Sequence, residues 1–345
     1  MHKRADLLVH DDQPLNAEPP PEALHGPLTP VDAFYVRNHG SLPAAEPGAL
    51  RLRVDGLVDR ELELSLDELR DGFAVREVEA TLQCAGNRRT DLMAVRPIPG
   101  ELPWGPTAIG TARWRGASLA DVLATAGVRD GARHVAFLGG DEVTDSGRFG
   151  GSIPLEKARA SEVLLAWDMD GEPLAPEHGA PLRALVPGYI GARSVKWLER
   201  VTVQAEPSDN HFQAVEYRLE PPSFPLGELA VNAAILAPAP DAVVPAGAVP
   251  VEGWALTAGP RTVQRVDVSG DGGETWVQAE LLDDQGPWAW RRWRAELDLA
   301  PGAAEIVARA WDSAANSQPD DVAAVWNHKG YANNACPRVR VQARA

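Results

Sequence analysis

The sequence predicts an α+β chain, a mixed α/β domain followed by an antiparallel β-sandwich. Three observations carry this reading. Short alternating stretches and capped helix starts are interleaved from about residue 50 to 215. A proline-rich, nearly uncharged seam follows at 221–250, and beyond it come short runs rich in tryptophan and β-branched residues.

Residues 1–30 hold Pro14, Pro19, Pro20, Pro21, Pro27 and Pro30, and read as an extended arm rather than an element. Leu50-Arg51-Leu52-Arg53-Val54 alternates apolar and polar, as a half-buried strand does. Ser65 followed by Glu68 has the spacing of a capping box, and Ser118 before Leu119-Ala120-Asp121 repeats it ahead of an apolar run. Ser194 to Val203 places Val195, Trp197, Val201 and Val203 at period two and reads as strand. Pro221, Pro222, Pro225, Pro238, Pro240, Pro245 and Pro250 then mark the seam. After it come Val263 to Val268, the turn Asp271-Gly272-Gly273, Thr275 to Val277, Trp288 to Leu297 and Glu305 to Trp311. Three units follow: the arm at 1–30, a domain at 31–228 and a sandwich at 229–345.

With 345 residues and 44% apolar composition, the chain can bury more than one core. Its formal charge of −16 is spread over both parts, so no basic face is expected and nucleic acid is excluded as a partner. No run of 18 apolar residues predicts a membrane span. The polar, proline-rich start shows no signal-peptide pattern, so the expected location is the cytoplasm. Cys84 and Cys336 fit no metal-ligand spacing.

The most informative segment is Thr81-Leu82-Gln83-Cys84-Ala85-Gly86-Asn87-Arg88-Arg89. Gly86 permits close backbone approach, and Arg88 and Arg89 supply positive charge that lowers a thiol pKa. A thiolate suits a soft, high-valent metal. The residues alone leave two readings open, a buried small hydrophobe or a reactive or ligating cysteine, and they name no metal.

Gln83 to Arg89 resembles the molybdenum-ligand motif of the sulfite oxidase family. The resemblance runs from about residue 33 to 341. It includes Tyr35-Val36-Arg37-Asn38-His39, Ala108 to Trp114, Glu177-His178-Gly179, Val186-Pro187-Gly188, Gly191 to Leu198, Trp288-Ala289-Trp290-Arg291 and Trp326-Asn327. It implies a molybdopterin-binding domain, an immunoglobulin-like dimerisation domain and hence a homodimer. It further implies one pyranopterin holding a single molybdenum, with Cys84 as the only protein ligand. The cofactor-binding positions that match are Tyr35, Val36, Arg37, Asn38, His39, Asp141, His178, Arg183, Ser194, Val195 and Lys196. Arginine forks and a lysine suit a phosphate.

For the substrate, the matches are Arg37, Arg89, Arg291 and Tyr217, the last within Asn210-His211-Phe212-Gln213-Ala214-Val215-Glu216-Tyr217. Converging guanidinium groups offset the desolvation of a small oxyanion such as sulfite. Arg291 stands near Trp290 and Trp293, whose indole faces can hold a guanidinium. The implied reaction is oxygen-atom transfer to sulfite, with electrons then passed on. No paired-histidine haem domain is expected in so short a leading segment, so the acceptor is oxygen, a separate cytochrome c or another external group.

The chain departs from the family pattern at two places. Phe212 stands where many relatives carry tryptophan, and Ala335-Cys336-Pro337-Arg338 replaces a more usual Ala-Trp-His-Arg. Cys336 is read as a structural cysteine. Within the family, nitrate reductases typically lack the arginine matched by Arg291, so Arg291 favours sulfite. Two other readings are a related molybdenum enzyme acting on another small oxyanion or a sulfoxide, and a non-catalytic cofactor-binding assembly module.

Overall fold

A computed structural model describes residues 3–43, 47–143, 146–220 and 223–345. Pro221 and Pro222 of the seam, and the first two residues of the arm, lie outside the described residues. The expected arm is in fact ordered structure. Leu8–Asp12 and Leu15–Glu18 pair as an antiparallel hairpin, and Pro21–Leu24 forms a short 3-10 turn. The prolines were a poor guide because Pro14 sits at the hairpin turn and Pro21 at the first position of the 3-10 turn, where a missing N–H costs nothing.

Two five-stranded sheets build the first domain. One orders Glu172–Pro173, Leu164–Met169, Ile109–Ser118 and Val75–Gln83, with Arg183–Leu185 also pairing Leu164–Met169. The other orders Leu62–Leu64, Leu52–Gly56, Leu198–Gln204, His134–Val143 and Gly147–Pro154. Both expected caps form. Ser65 and Glu68 close a capping box on Leu66–Gly72, and the Ser118 hydroxyl accepts from the Asp121 N–H at the start of Leu119–Ala126. Leu69, Val122 and Leu123 from these helices enter one core with Leu52, Val54, Phe137, Val201 and Val203. Ser194 to Val203 is strand only from Leu198. Before it lie a 3-10 turn at Gly191–Arg193 and Trp197 at φ +50.

The second domain is a sandwich of two sheets. Asn232–Ala237, Gly247–Leu256, Arg291–Leu299 and Glu280–Leu281 form one. Val243–Pro245, Arg338–Arg344, Gly302–Asp312, Val263–Ser269 and Val277–Gln278 form the other. Val251, Val266, Trp293, Ile306 and Ala308 fill the space between them. Among the described residues, no helix is long and apolar enough to cross a membrane.

The two domains are stitched together at the segment after Cys84. Arg88 takes a left-handed conformation (φ 61) and buries its guanidinium against the second domain, where Nη1 donates to Asn232 Oδ1 and to the Ala233 and Ala335 carbonyls. It therefore does not act on the thiol as the sequence suggested.

Candidate active site

Cys84 follows the last residue of strand Val75–Gln83, with its N–H bonded to the Ala108 carbonyl at 2.9 Å. It lies on the wall of a cavity of about 680 Å³, counting the open mouth. The cavity is reached by residues from every part of the first domain. Tyr35, Arg37, Asn38 and His39 come from the stretch the N-terminal hairpin holds, through Val36 paired to Ala17 and Asn38 N–H bonded to Asn16 Oδ1 at 2.9 Å. Asp141 comes from an irregularity in strand His134–Val143, and His178 from the turn Pro176–His178. Arg183, Ser194, Lys196 and Tyr217 complete it. Val36 and Val195 match the family pattern but do not line the cavity; both side chains are buried and their backbones are spent on pairing.

Charge is the most telling property. Arg37, Arg183 and Lys196 bond to carbonyls and amides: Arg183 to the His178 and Ser194 carbonyls at 2.8 and 2.9 Å, Lys196 to those of Arg37 and Glu177 at 3.1 and 3.0 Å, Arg37 to Asn16 Oδ1 at 3.1 Å. Among the described residues none of the three forms an ion pair. Burial pushes Arg183 down to about 10 and Lys196 well below its ordinary value, the latter aided by Arg183. Buried cations without counter-ions are costly unless an anion joins them. Asp141 Oδ1 adds a buried acceptor with no protein donor.

At the other end, the Cys84 thiol is raised by burial, an effect opposed by Arg37 and Arg89. His39 links two cavity residues. Arg37 Nη2 donates to His39 Nδ1 at 3.3 Å, because a guanidinium has no acceptor, and His39 Nε2 lies 2.7 Å from Tyr217 Oη. Burial, then Arg37 and Lys196, hold His39 well below its ordinary pKa, so the ring is neutral and Nε2–H donates. The Tyr217 proton is then free for another acceptor. Burial lifts that phenol to about 12, so it is present as a hydrogen-bond donor.

Arg89 and Arg291 depart from the expected cluster. Arg89 starts the helix Arg89–Val95, and each nitrogen of its guanidinium has a partner: the Gly330 carbonyl (3.2 Å), the Leu102 carbonyl (2.8 Å) and Glu101 (3.1 Å). Its charge opposes the upward shift of the Cys84 thiol. Gly86 makes its room: a Cβ there would stand 2.7 Å from the Arg89 Cζ. Arg291 is not at this site. It begins strand Arg291–Leu299 opposite Ala255, donates to the Leu282 carbonyl at 3.1 Å and pairs with Asp284 at 3.4 Å, lining a separate cavity with Thr257 and Gln264. Strand register turns it into its own domain. The basic residue that the second domain does bring is Lys329, 3.6 Å from Glu101 and 3.2 Å from Glu216. Beside it Tyr331 stacks on Tyr217 at 5.3 Å. The sequence reading missed Lys329, Tyr331 and Glu101, although Trp326-Asn327 flagged the segment.

The site fits a molybdenum–pterin group. Its unpaired buried cations suit a phosphate, Asp141 suits ring N–H donors, and Cys84 offers one thiolate. Among the described residues, no three His, Cys, Asp or Glu side chains gather to hold a metal, so a metal at Cys84 has to arrive with other ligands.

The comparisons agree. The family model described as "Oxidoreductase molybdopterin binding domain" matches residues 39–212, and "Mo-co oxidoreductase dimerisation domain" matches 224–344. The chain is 46% identical to "Sulfite oxidase" of Gallus gallus over 357 residues, covering 96% of this chain and 77% of that protein. This chain belongs to the sulfite oxidase family. It is 45% identical to "Sulfite oxidase, mitochondrial" of Mus musculus, covering 97% of this chain and 65% of that protein, so it spans about two-thirds of that relative. A barley (Hordeum vulgare) nitrate reductase is 38% identical, with 98% of this chain and 42% of that protein covered. Among solved structures, the sulfane dehydrogenase SoxCD from Paracoccus pantotrophus superposes with a TM-score of 0.85 at 26% identity, covering 99% of this chain and 87% of that one. The protein is a molybdenum oxidoreductase with a molybdopterin cofactor.

Proposed function

We propose that the enzyme oxidises sulfite to sulfate and passes the electrons to an external acceptor. The observation that carries this reading is Arg37, a guanidinium without a carboxylate partner among the described residues, lining the same cavity as Cys84 and Tyr217. The relatives named as sulfite oxidases support the choice of substrate.

Bound molybdenum, with Cys84 as its protein ligand, supplies two-electron oxygen-atom transfer. The protein's own groups bind and orient. Arg183 and Lys196, with His178 beside them, hold the pterin phosphate, and Asp141 accepts from its ring. Arg37 draws the oxyanion in and keeps its charge at any working pH. Tyr217, fixed as a donor by His39, bonds an oxygen of that anion. Burial of the cavity strengthens each of these interactions. The β-sandwich is proposed to join two copies of the chain, in line with its dimerisation-domain match.

The sequence used Arg291 to prefer sulfite over nitrate; with Arg291 outside the cavity that argument lapses. Molybdenum-loaded enzyme is therefore assayed with sulfite and ferricyanide, and with nitrate and reduced viologen. Sulfite turnover with none on nitrate is the expected result. The reverse would establish the nitrate reductase reading, which the barley relative motivates.

A further inference from the structure

Lys3 is drawn into the interior beside the cavity. Its ammonium lies 2.6 Å from the Val31 carbonyl oxygen, 2.9 Å from that of Phe34 and 2.6 Å from Nε2 of His178. An ammonium has three N–H donors and no acceptor, so these three partners use all of them. Among the described residues Lys3 forms no ion pair. The segment is pinned on its other side by the Arg4 N–H donating to the Asp32 carbonyl at 3.3 Å.

This arrangement decides the state of His178. Because Lys3 only donates, Nε2 of His178 accepts. Burial, reinforced by Lys3, Lys196 and Arg183 and opposed only in part by the Val31 backbone, keeps the ring neutral. A neutral imidazole carries one N–H, which then sits on Nδ1. Among the described residues Nδ1 forms no hydrogen bond with the protein, while the ring lines the cavity with Arg183 and Lys196.

We propose that Lys3 is a positioning residue for the cofactor: by occupying Nε2 of His178 it fixes the Nδ1–H tautomer, so that His178 donates to an oxygen of the pterin's phosphate end. It also adds a positive charge behind that end. The N-terminal segment is thus part of the cofactor site, acting through His178 rather than by contact. This rests on the cofactor and not on which oxyanion is the substrate.

The first measurement needs no substitution. In ¹⁵N-histidine-labelled holoenzyme, the His178 ring, assigned by loss of its signals in His178→Ala, should show a protonated Nδ1 and an unprotonated Nε2. The opposite tautomer would overturn the proposal. The second compares cofactor loss, followed by pterin fluorescence of the protein after dialysis. Lys3→Met should lose pterin about tenfold faster than the wild type, in line with outer partners of a ligating group. The loss should be no faster in Lys3→Met/His178→Ala than in His178→Ala alone. Unchanged pterin retention in Lys3→Met, or additive losses in the double variant, would show that Lys3 does not work through His178.

Discussion

A carboxylate oxygen of Glu101 lies 3.1 Å from Nη2 of Arg89, and the other oxygen lies 3.6 Å from Nζ of Lys329. One acid therefore answers two bases from different domains. Gly330 has φ +61, and a Cβ there would meet the Arg89 Cγ at 2.6 Å, so the loop carrying Lys329 is shaped around this guanidinium. Replacing Glu101 by Gln keeps the shape and removes the negative charge. Arg89 then loses its carboxylate partner while Lys329 keeps Glu216, so net positive charge near the cavity grows and the sulfite KM is expected to fall about threefold, while stability drops by on the order of 2 kcal/mol from the broken part-buried pair. A KM that stays constant or rises would show that Glu101 only anchors the loop.

Cys84→Ser removes the proposed metal ligand with almost no change in volume. The side chain is buried and its backbone N–H bond to Ala108 is kept, so the thermal midpoint should move by only a few degrees. Turnover should fall by at least about a hundredfold, since a serine hydroxyl is a harder and less ionised donor than a thiolate. Retained turnover with sulfite would end the ligand assignment.

The site was legible through the family resemblance, since the residues alone left Cys84 open between a buried hydrophobe and a ligand. Cys84, Arg37, His39, His178, Arg183, Lys196 and Tyr217, which the resemblance to the sulfite oxidase family picked out, share one cavity. The helix caps at Ser65 and Ser118 were legible from their local spacing. What failed depends on register and long-range packing. Whether Arg291 faces the first domain is decided by its pairing opposite Ala255, and alternation along a strand does not reveal which domain its faces meet. Lys3 lies 175 residues from His178, and no local pattern announces that contact. The hairpin in the arm was hidden because its register is set by pairing, with Asn16 then reaching across to Arg37 and Asn38.

Arg37→Gln tests the anion pocket itself. Arg37 donates to Asn16 and to His39, and a glutamine amide can keep one of these bonds while losing the charge. A charged hydrogen bond to a buried anion contributes about 1.5–3 kcal/mol, so the sulfite KM should rise by at least about tenfold. Steady-state kinetics at constant ionic strength give the answer, and an unaltered KM would remove Arg37 from the pocket.

Lys3 gives the pH dependence. Burial lowers its pKa from 10.5 to about 8 in the folded chain, and Glu177 and Asp32 oppose this only in part. Below pH 8 both folded and unfolded chains carry the proton, and the folded one bears the cost of a buried charge. Between 8 and 10.5 the unfolded chain binds more protons, so this group makes stability rise with pH across that window. The thermal midpoint of cofactor-free protein should therefore gain more between pH 7.5 and 10.5 in the wild type than in Lys3→Met. Parallel curves would mean that the ammonium is not buried in the cofactor-free protein.

Arg291 and Lys329 offer opposite expectations for two basic residues of the second domain. Arg291 is held in its own sheet by Leu282 and Asp284, beyond reach of the cavity, and its substitution by Met should leave the sulfite KM within about twofold, the usual scale for a distant exposed pair. Lys329 sits in the chain of contacts Arg89–Glu101–Lys329–Glu216–Tyr331, and Tyr331 stacks on Tyr217. Lys329→Met leaves Glu101 and Glu216 without their shared cation, so net negative charge grows beside an anion site, and Glu216, which accepts from the Tyr331 hydroxyl, loses its cation. KM should rise severalfold, more at low salt than at high, because the effect is electrostatic. If Arg291→Met raised KM instead and Lys329→Met did not, the sequence reading of the third cation would be right and the contact chain across the domain boundary would carry no substrate binding.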